Sequence, residues 1–390
     1  MEQQCPVCKS NHLLPVIELR QIPILANVLW ESREAAHAAP RGDVRLVFCQ
    51  DCGHVFNQEF DPARMDYNAR YENSLHFSPR FQQYASTLAH HLVNTYNLHG
   101  KSIIEIGSGK GEFLHMLCDM GGNVGTGFDP SYEPDPNERR GSTSFIKDLY
   151  SERYSDHRGD LIVSRHVLEH IHKPDDFIHS LRRTIGDNKR TVVFFEVPNL
   201  GYILRDTSIW DVIYEHYSYY SAHSLANLFT RFGFNVLDLR DAYEGQFLCI
   251  EAVPRDPQRS APNAPYAVPV SSLEQQVRAF GQSSQKKLDH WRQTLDGLCQ
   301  QNQRVVIWGA GSKGISFLNM LNVRDEIEFV IDINPRKRNM HVTGSGQKIV
   351  PPEFLKEFRP NTIIIMNPIY KQEIAGTLAE MGLDAQILTA

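Results

Sequence analysis

Between residues 78 and 254 the apolar positions switch repeatedly between helical and strand spacing. The stretch "SPRFQQYASTLAHHLVNTY", Ser78 to Tyr96, opens on Ser-Pro and then places apolar residues three and four apart, which predicts a capped amphipathic helix. "KSIIEIGSGKGEFLHMLCDMG" reads as a short β-rich run, a glycine turn and a second amphipathic helix. "NVGTGFDPS", "TSFIKDLY", "GDLIVSRHVLEHI" and "RTVVFFEVPN" supply four further strands. This alternation predicts an α/β fold, a doubly wound parallel sheet with ligands at the carboxyl ends of its strands. A Pro- and Ser-rich stretch, Pro254 to Ser272, follows, and then a long polar helix. "RVVIWGAGSKGISFLNML", "EFVIDINP" and "TIIIMNP" then predict a second, smaller α/β unit.

Residues before about Pro62 show neither rhythm, but they carry "CPVC" (Cys5, Cys8) and "CQDCGHVFN" (Cys49, Cys52). Two thiolates two residues apart can both face one ion, and two such pairs complete a tetrahedral zinc site. Four cysteines leave no open coordination position, so the zinc is expected to be structural. His54 is the spare ligand in reach, read here as a surface histidine. A redox CxxC would need a βαβ context that this region lacks. The expected division is a zinc-binding domain over 1–62, a core over 63–255, a linker and helix over 256–302, and a Rossmann-like unit over 303–390.

Charge and composition narrow the possible roles. A net charge of −6 without a polybasic run argues against nucleic acid as partner. No secretory layout opens the chain and no apolar run approaches the roughly 20 residues of a spanning helix, so a cytoplasmic protein with no membrane partner is expected. Of seven cysteines, the three outside the CxxC pairs are scattered, which fits metal and reduced thiols more than a disulfide framework.

The first glycine turn carries the chemistry. Glu105 ends its strand, and Gly107, Gly109 and Gly111 allow positive φ and close approach of a ligand to the backbone. Asp129 follows about 20 residues on, where a carboxylate takes ribose hydroxyls. Asp148 and Leu149 end the third strand, suited to an adenine amino group and ring. The spelling ExGxGxG, with these acidic positions and "RHVLEHI", resembles the class I S-adenosylmethionine (SAM)-dependent methyltransferases, and an acidic Glu105 suits a ligand that carries an ammonium.

The insertion after the fifth strand contains "YEHYSYYS". Its four tyrosines, glutamate and histidine would suit a strand surface or an active-site wall equally. Together with the cysteine module and the C-terminal "GAGSKG" and "VIDINPRK", it is similar to the three-domain sugar C-methyltransferases that act on nucleotide-linked 4-keto deoxysugars. The resemblance spans nearly the whole chain. It implies SAM and structural zinc as cofactors, a small-molecule substrate, and a monomer or small homo-oligomer. It implies His216 as general base, with Glu215, His170 and Tyr214 as its catalytic companions. Tyr71 is expected at the methyl donor. Tyr217, Tyr219, Tyr220 and Asn199 are expected at the substrate, with Gly311 and Lys313 of the second glycine turn. The family's Tyr-x-Glu-His becomes Ile213-Tyr214-Glu215-His216 here. Other readings are O- or N-methylation of a small metabolite, an NAD oxidoreductase using the true GxGxxG at Gly309, Gly311 and Gly314, or a zinc-bearing binding module.

Overall fold

A computed structural model describes residues 4–66, 70–133, 141–256 and 269–390. Most of the Pro- and Ser-rich stretch, residues 257–268, lies outside them. In chain order the strands are β1 (Leu13–Pro23), β2 (Arg41–Cys49), β3 (Val55–Asn57), β4 (Ser102–Ile106), β5 (Val124–Phe128), β6 (Thr143–Ile146), β7 (Leu161–Arg165) and β8 (Val192–Pro198). They continue as β9 (Ser218–Tyr219), β10 (Phe234–Ala242), β11 (Phe247–Pro254), β12 (Val305–Trp308), β13 (Phe329–Ile331), β14 (Lys348–Val350), β15 (Thr362–Ile365) and β16 (Gln386–Thr389).

The central sheet has the order β10-β11-β8-β7-β4-β5-β6. Strands β4 to β8 run parallel, and β10 and β11 close one edge antiparallel. The chain reverses its direction of strand addition between β4 and β7, which opens a crevice at their carboxyl ends. The helix Pro79–Thr95 begins as the sequence predicts. The Ser78 side chain accepts the Phe81 N–H, Pro79 fills the first turn, and Phe81, Ala85, Leu88, Ala89, Leu92 and Val93 face the core.

The C-terminal sheet, β14-β13-β12-β15-β16, is wholly parallel and has its own crevice between β12 and β15. The N-terminal sheet, β1-β2-β3-β9, takes its last strand from the insertion more than 150 residues downstream. The expected linker helix is not peripheral. Val270–Gln300 is one helix of 31 residues whose Leu273, Val277, Phe280, Trp291 and Leu295 share a core with β1, with Trp210 of the insertion and with Phe317 of the C-terminal unit. Among the described residues no helix is long and apolar enough to cross a membrane.

Candidate active site and zinc centre

The four cysteines converge. Cys5 Sγ lies 3.5 Å from Cys52 Sγ and Cys8 Sγ lies 3.4 Å from Cys49 Sγ. A tetrahedron with zinc–sulfur bonds of about 2.3 Å has edges of roughly 3.8 Å, so the set fits one zinc ion with little movement. Each knuckle turns on a residue of positive φ just after its second cysteine, Lys9 at 65° and Gly53 at 70°. His54 is not at the surface. It is fully buried, and its Nε2 lies 3.2 Å from Ser218 Oγ, which ties the zinc module to the insertion.

At the end of β4, Glu105 is buried and its Oε2 has no partner. Burial pushes its pKa up to about 8, and Arg165 opposes that rise. An orphaned carboxylate oxygen beside the loop is what an incoming ammonium would satisfy. Gly107 (φ 74°) and Gly111 (φ 82°) adopt conformations that a side chain would strain, and a Cβ on Gly111 would stand 2.3 Å from the Phe145 ring. Asp129 accepts the Gly109 N–H at 2.8 Å, so carboxylate and loop form one unit. The Asp148 carboxylate is taken by Arg153 and Tyr154, whereas Leu149 stands 66% exposed beside it, an apolar side chain open to a ring. The residues present thus fit SAM.

A cavity of about 300 Å³ runs from the carboxyl ends of β7 and β8 to the C-terminal crevice, and none of Glu105, Gly107, Gly109, Gly111, Asp129, Asp148 and Leu149 lines it. His170 and His216 line its first end, with ring centroids 4.9 Å apart at nearly a right angle. His170 Nδ1 lies 2.9 Å from the Glu215 carbonyl oxygen. A carbonyl only accepts, so Nδ1 carries hydrogen. The Glu215 carboxylate is fully buried. It accepts the Ala26 N–H at 3.0 Å and the Tyr71 hydroxyl at 2.6 Å. Burial raises its pKa against the pull of His170, Tyr71 and Ala26. His216 is driven the other way: burial first, then the neighbouring His170 and His166, hold its pKa well below 6.5. The ring is therefore neutral, and its Nδ1 is buried without a partner.

Tyr71 lines the cavity, but its hydroxyl orients Glu215. The other tyrosines depart further from expectation, since none of the four in "YEHYSYYS" lines the cavity. Tyr214 accepts the Asp61 N–H and donates to the Glu59 carbonyl, inside the N-terminal module. Tyr217 packs on Phe56, Phe60 and His172. Tyr219 closes its hydroxyl on the Ile213 backbone, and Tyr220 is buried against His54. Asn199 is also structural: it caps the helix Leu200–Arg205 and its amide nitrogen binds Asp241 and the Gly245 carbonyl. Ile213 does line the cavity, giving an apolar wall where the family writes tyrosine.

The second end is formed by Gly309, Gly311 and Lys313, with Asp332, Lys337 and Asn367 opposite. Lys313 pairs with Asp211 of the insertion, and Asp332 accepts the Ala310 N–H at 2.9 Å, as Asp129 does for the first loop. Sequence reasoning missed His166 and Glu169, which line the cavity on the turn just after β7. Their position at a strand's carboxyl end was the available signal. His166 Nε2 lies 3.0 Å from Glu196 and its Nδ1 3.6 Å from Glu169. Burial disfavours its charge, but the two carboxylates outweigh burial and push its pKa up to about 9. Glu196 is held at about 2: burial would raise it, but Arg165, His166 and Tyr84 prevail.

Comparison with known proteins follows the same division. A methyltransferase domain profile matches residues 78–239, a C-methyltransferase C-terminal domain profile matches residues 271–386, and a zinc binding domain profile matches residues 5–65. C-methyltransferase NovU of Streptomyces niveus is 23% identical over 393 residues, covering 95% of this chain and 91% of NovU. Among solved structures, magnesium protoporphyrin IX methyltransferase of Synechocystis aligns with a TM-score of 0.35 at 16% identity, over 45% of this chain and 84% of its own. The [4+2]-cyclase SpnF aligns with a TM-score of 0.36 at 14% identity, over 44% and 82%. With zinc-binding, methyltransferase and C-methyltransferase C-terminal domains in that order and a relative matched over nearly its full length, the chain belongs to the three-domain SAM-dependent C-methyltransferases.

Proposed function

We propose that the protein methylates a carbon next to the ketone of a nucleotide-linked keto-deoxysugar. The observation that carries this reading is the single cavity joining His170 and His216 to the C-terminal glycine loop. A substrate with a reactive ring at one end and a nucleotide at the other is the kind of ligand such a cavity suits. When bound, SAM supplies an electrophilic methyl group on a sulfonium. Glu105, the loop Gly107–Gly111 and Asp129 hold it at the end of β4.

His216, neutral and lining the cavity, takes the proton from the carbon beside the ketone. His170 faces the oxygen on which charge then develops, its ring fixed through Nδ1 on the Glu215 carbonyl. Tyr71 and Ala26 hold Glu215, and Ile213 lines the wall without competing donors. At the far end, the backbone of Gly309–Lys313 opens the helix Ser312–Met320, a suitable seat for phosphate. Lys313 would exchange Asp211 for that anion.

The test is a thermal-shift and methyl-transfer panel of TDP-, UDP-, GDP- and CDP-linked keto-deoxysugars with SAM. One nucleotide class should stabilise the protein and gain a carbon-bound methyl group. Lys313→Ala should weaken that sugar's binding and leave S-adenosylhomocysteine binding unchanged. Methylation on oxygen or nitrogen, or stabilisation by NAD alone, would refute the proposal.

A further inference from the structure

The Glu215 carboxylate is held from two sides, and both holders belong to one ladder of extended chain. Its Oε1 accepts the Ala26 N–H and its Oε2 the Tyr71 hydroxyl. Ala26 and Tyr71 come from segments that pair with each other. Val28 bridges Tyr71 antiparallel, Leu29 donates its N–H to the Arg70 carbonyl at 3.0 Å, and Glu72 donates its own to the Asn27 carbonyl at 2.9 Å. The first of these segments also lies on the C-terminal unit, where the Thr343 hydroxyl donates to the Val28 carbonyl at 2.7 Å and the His341 N–H to the Trp30 carbonyl at 2.8 Å.

Glu72 ties the other segment to the C-terminal crevice. It is buried and does not line the cavity, whereas its chain neighbours Tyr71 and Asn73 do. Its Oε1 accepts the Asn334 side-chain amide and the Ser74 N–H, each at 3.1 Å, and its Oε2 lies 3.4 Å from the Arg336 guanidinium. Asn334 lines the cavity and is fixed in turn by Asp332. The Asp332 Oδ1 accepts the Asn334 N–H at 2.8 Å, while its Oδ2 takes the Ala310 N–H of the second glycine turn. A carboxylate is costly to bury unless its oxygens are bonded, so these partners fix where Glu72 sits and with it the residue before it, Tyr71. From that glycine turn to Glu215 the connection is continuous: Ala310, Asp332, Asn334 and Glu72 are joined by side-chain bonds, and Tyr71 follows along the chain.

We propose that Glu72 is a positioning residue for methyl transfer: it fastens the hold on Glu215 to the C-terminal unit, so that Glu215 and the adjoining His216 are aligned only while that unit is docked. The reading of His216 as the base, on which this inference rests, gives the alignment its consequence for rate. Glu72 touches neither end of the cavity, so its effect passes wholly through Tyr71, Ala26 and Glu215. The C-terminal unit thereby contributes to the chemical step as well as to any ligand that it seats.

The test reads the Ala26 amide directly and needs no sugar. In the full-length protein with 15N-labelled alanine and bound S-adenosylhomocysteine, the Ala26 signal is assigned by its loss in Ala26→Gly, and its hydrogen exchange is followed by NMR. Glu72→Ala should speed that exchange about 10-fold or more, the range for loss of bonds to a buried carboxylate, and leave Ala89 in the helix Pro79–Thr95 at its wild-type rate. Glu72→Gln keeps an acceptor for Asn334 and Ser74 and should recover most of the protection. Asn334→Ala should act as Glu72→Ala does, and it carries the test if near-UV circular dichroism shows that Glu72→Ala fails to fold. On a nucleotide sugar that the protein methylates, Glu72→Ala should lower kcat about 10-fold or more and change KM by less than about twofold. An Ala26 rate unmoved by both variants, a rise shared by Ala89, or a higher KM at unchanged kcat would overturn the proposal. Faster Ala26 exchange in a protein that methylates no nucleotide sugar would instead refute the substrate reading and leave the coupling standing.

Discussion

Replacing Gly107 by alanine tests the SAM loop through two separable effects. At φ 74° an L-residue costs about 1–2 kcal/mol. The new Cβ would also stand 2.1 Å from Val167 Cγ2, and overpacking of that kind costs typically about 1–3 kcal/mol. The loss should therefore be about 2–5 kcal/mol, which for a domain of this size moves the melting temperature by about 4–20 °C. Val167→Ala removes the atom in the way but leaves the backbone conformation alone. Melting wild type, both single variants and the double variant, each with and without S-adenosylhomocysteine, separates the two contributions. The double variant should recover the steric part and keep a residual loss of about 1–2 kcal/mol. It should also bind S-adenosylhomocysteine more tightly than Gly107→Ala alone. If the two substitutions add to within about 0.5 kcal/mol, the loop is not packed on Val167 as described and the reasoning fails.

Asp129→Ala removes the carboxylate expected to take two ribose hydroxyls; at about 1.5–3 kcal/mol per charge-assisted bond, calorimetry should show S-adenosylhomocysteine affinity falling about 100-fold or more. Metal analysis should find zinc bound by the four cysteines, and a chelator should unfold residues 5–65, read by limited proteolysis; methyl transfer should fall with it because the Ala26 N–H that holds Glu215 lies in that module. His166 has a folded-state pKa near 9 against 6.5 unfolded, so its contribution to stability is complete below pH 6.5 and fades as pH rises toward 9; His166→Gln should flatten that part of the melting-temperature profile. His216 has the opposite sign: its depressed pKa makes stability fall as pH drops through 6.5, while the methyl-transfer rate should hold level from pH 7.5 to 6.5 because the folded imidazole is still neutral there.

The glycine loops, their partner aspartates and the cysteine pairs were legible because each rests on local geometry. Positive φ, a strand end and a two-residue thiolate spacing are properties of a few neighbouring positions. The tyrosines were not legible. "YEHYSYYS" has the composition of an active-site wall, yet the side of the segment that each ring faces is decided by β3, with which Ser218 and Tyr219 pair, and by Phe56 and Phe60, with which Tyr217 packs. Those partners lie far away in the chain. His54 was misplaced for the same reason, because the segment that buries it comes from the insertion. His166 illustrates a different limit: its backbone conformation is imposed by the turn between β7 and Glu169, and the mild preference of histidine for positive φ does not by itself single out this position.

Strand β9 follows directly on Glu215 and His216 and completes a sheet begun at Leu13. During synthesis β3 must therefore wait for the whole parallel core before its last neighbour emerges. At ribosomal rates of about 5–20 residues per second that wait is on the order of ten seconds or more. The N-terminal module is thus the first to be made, yet its sheet stays incomplete until the parallel strands of the core have been synthesised. Grafting it onto another methyltransferase would leave behind the strand that begins two residues after His216.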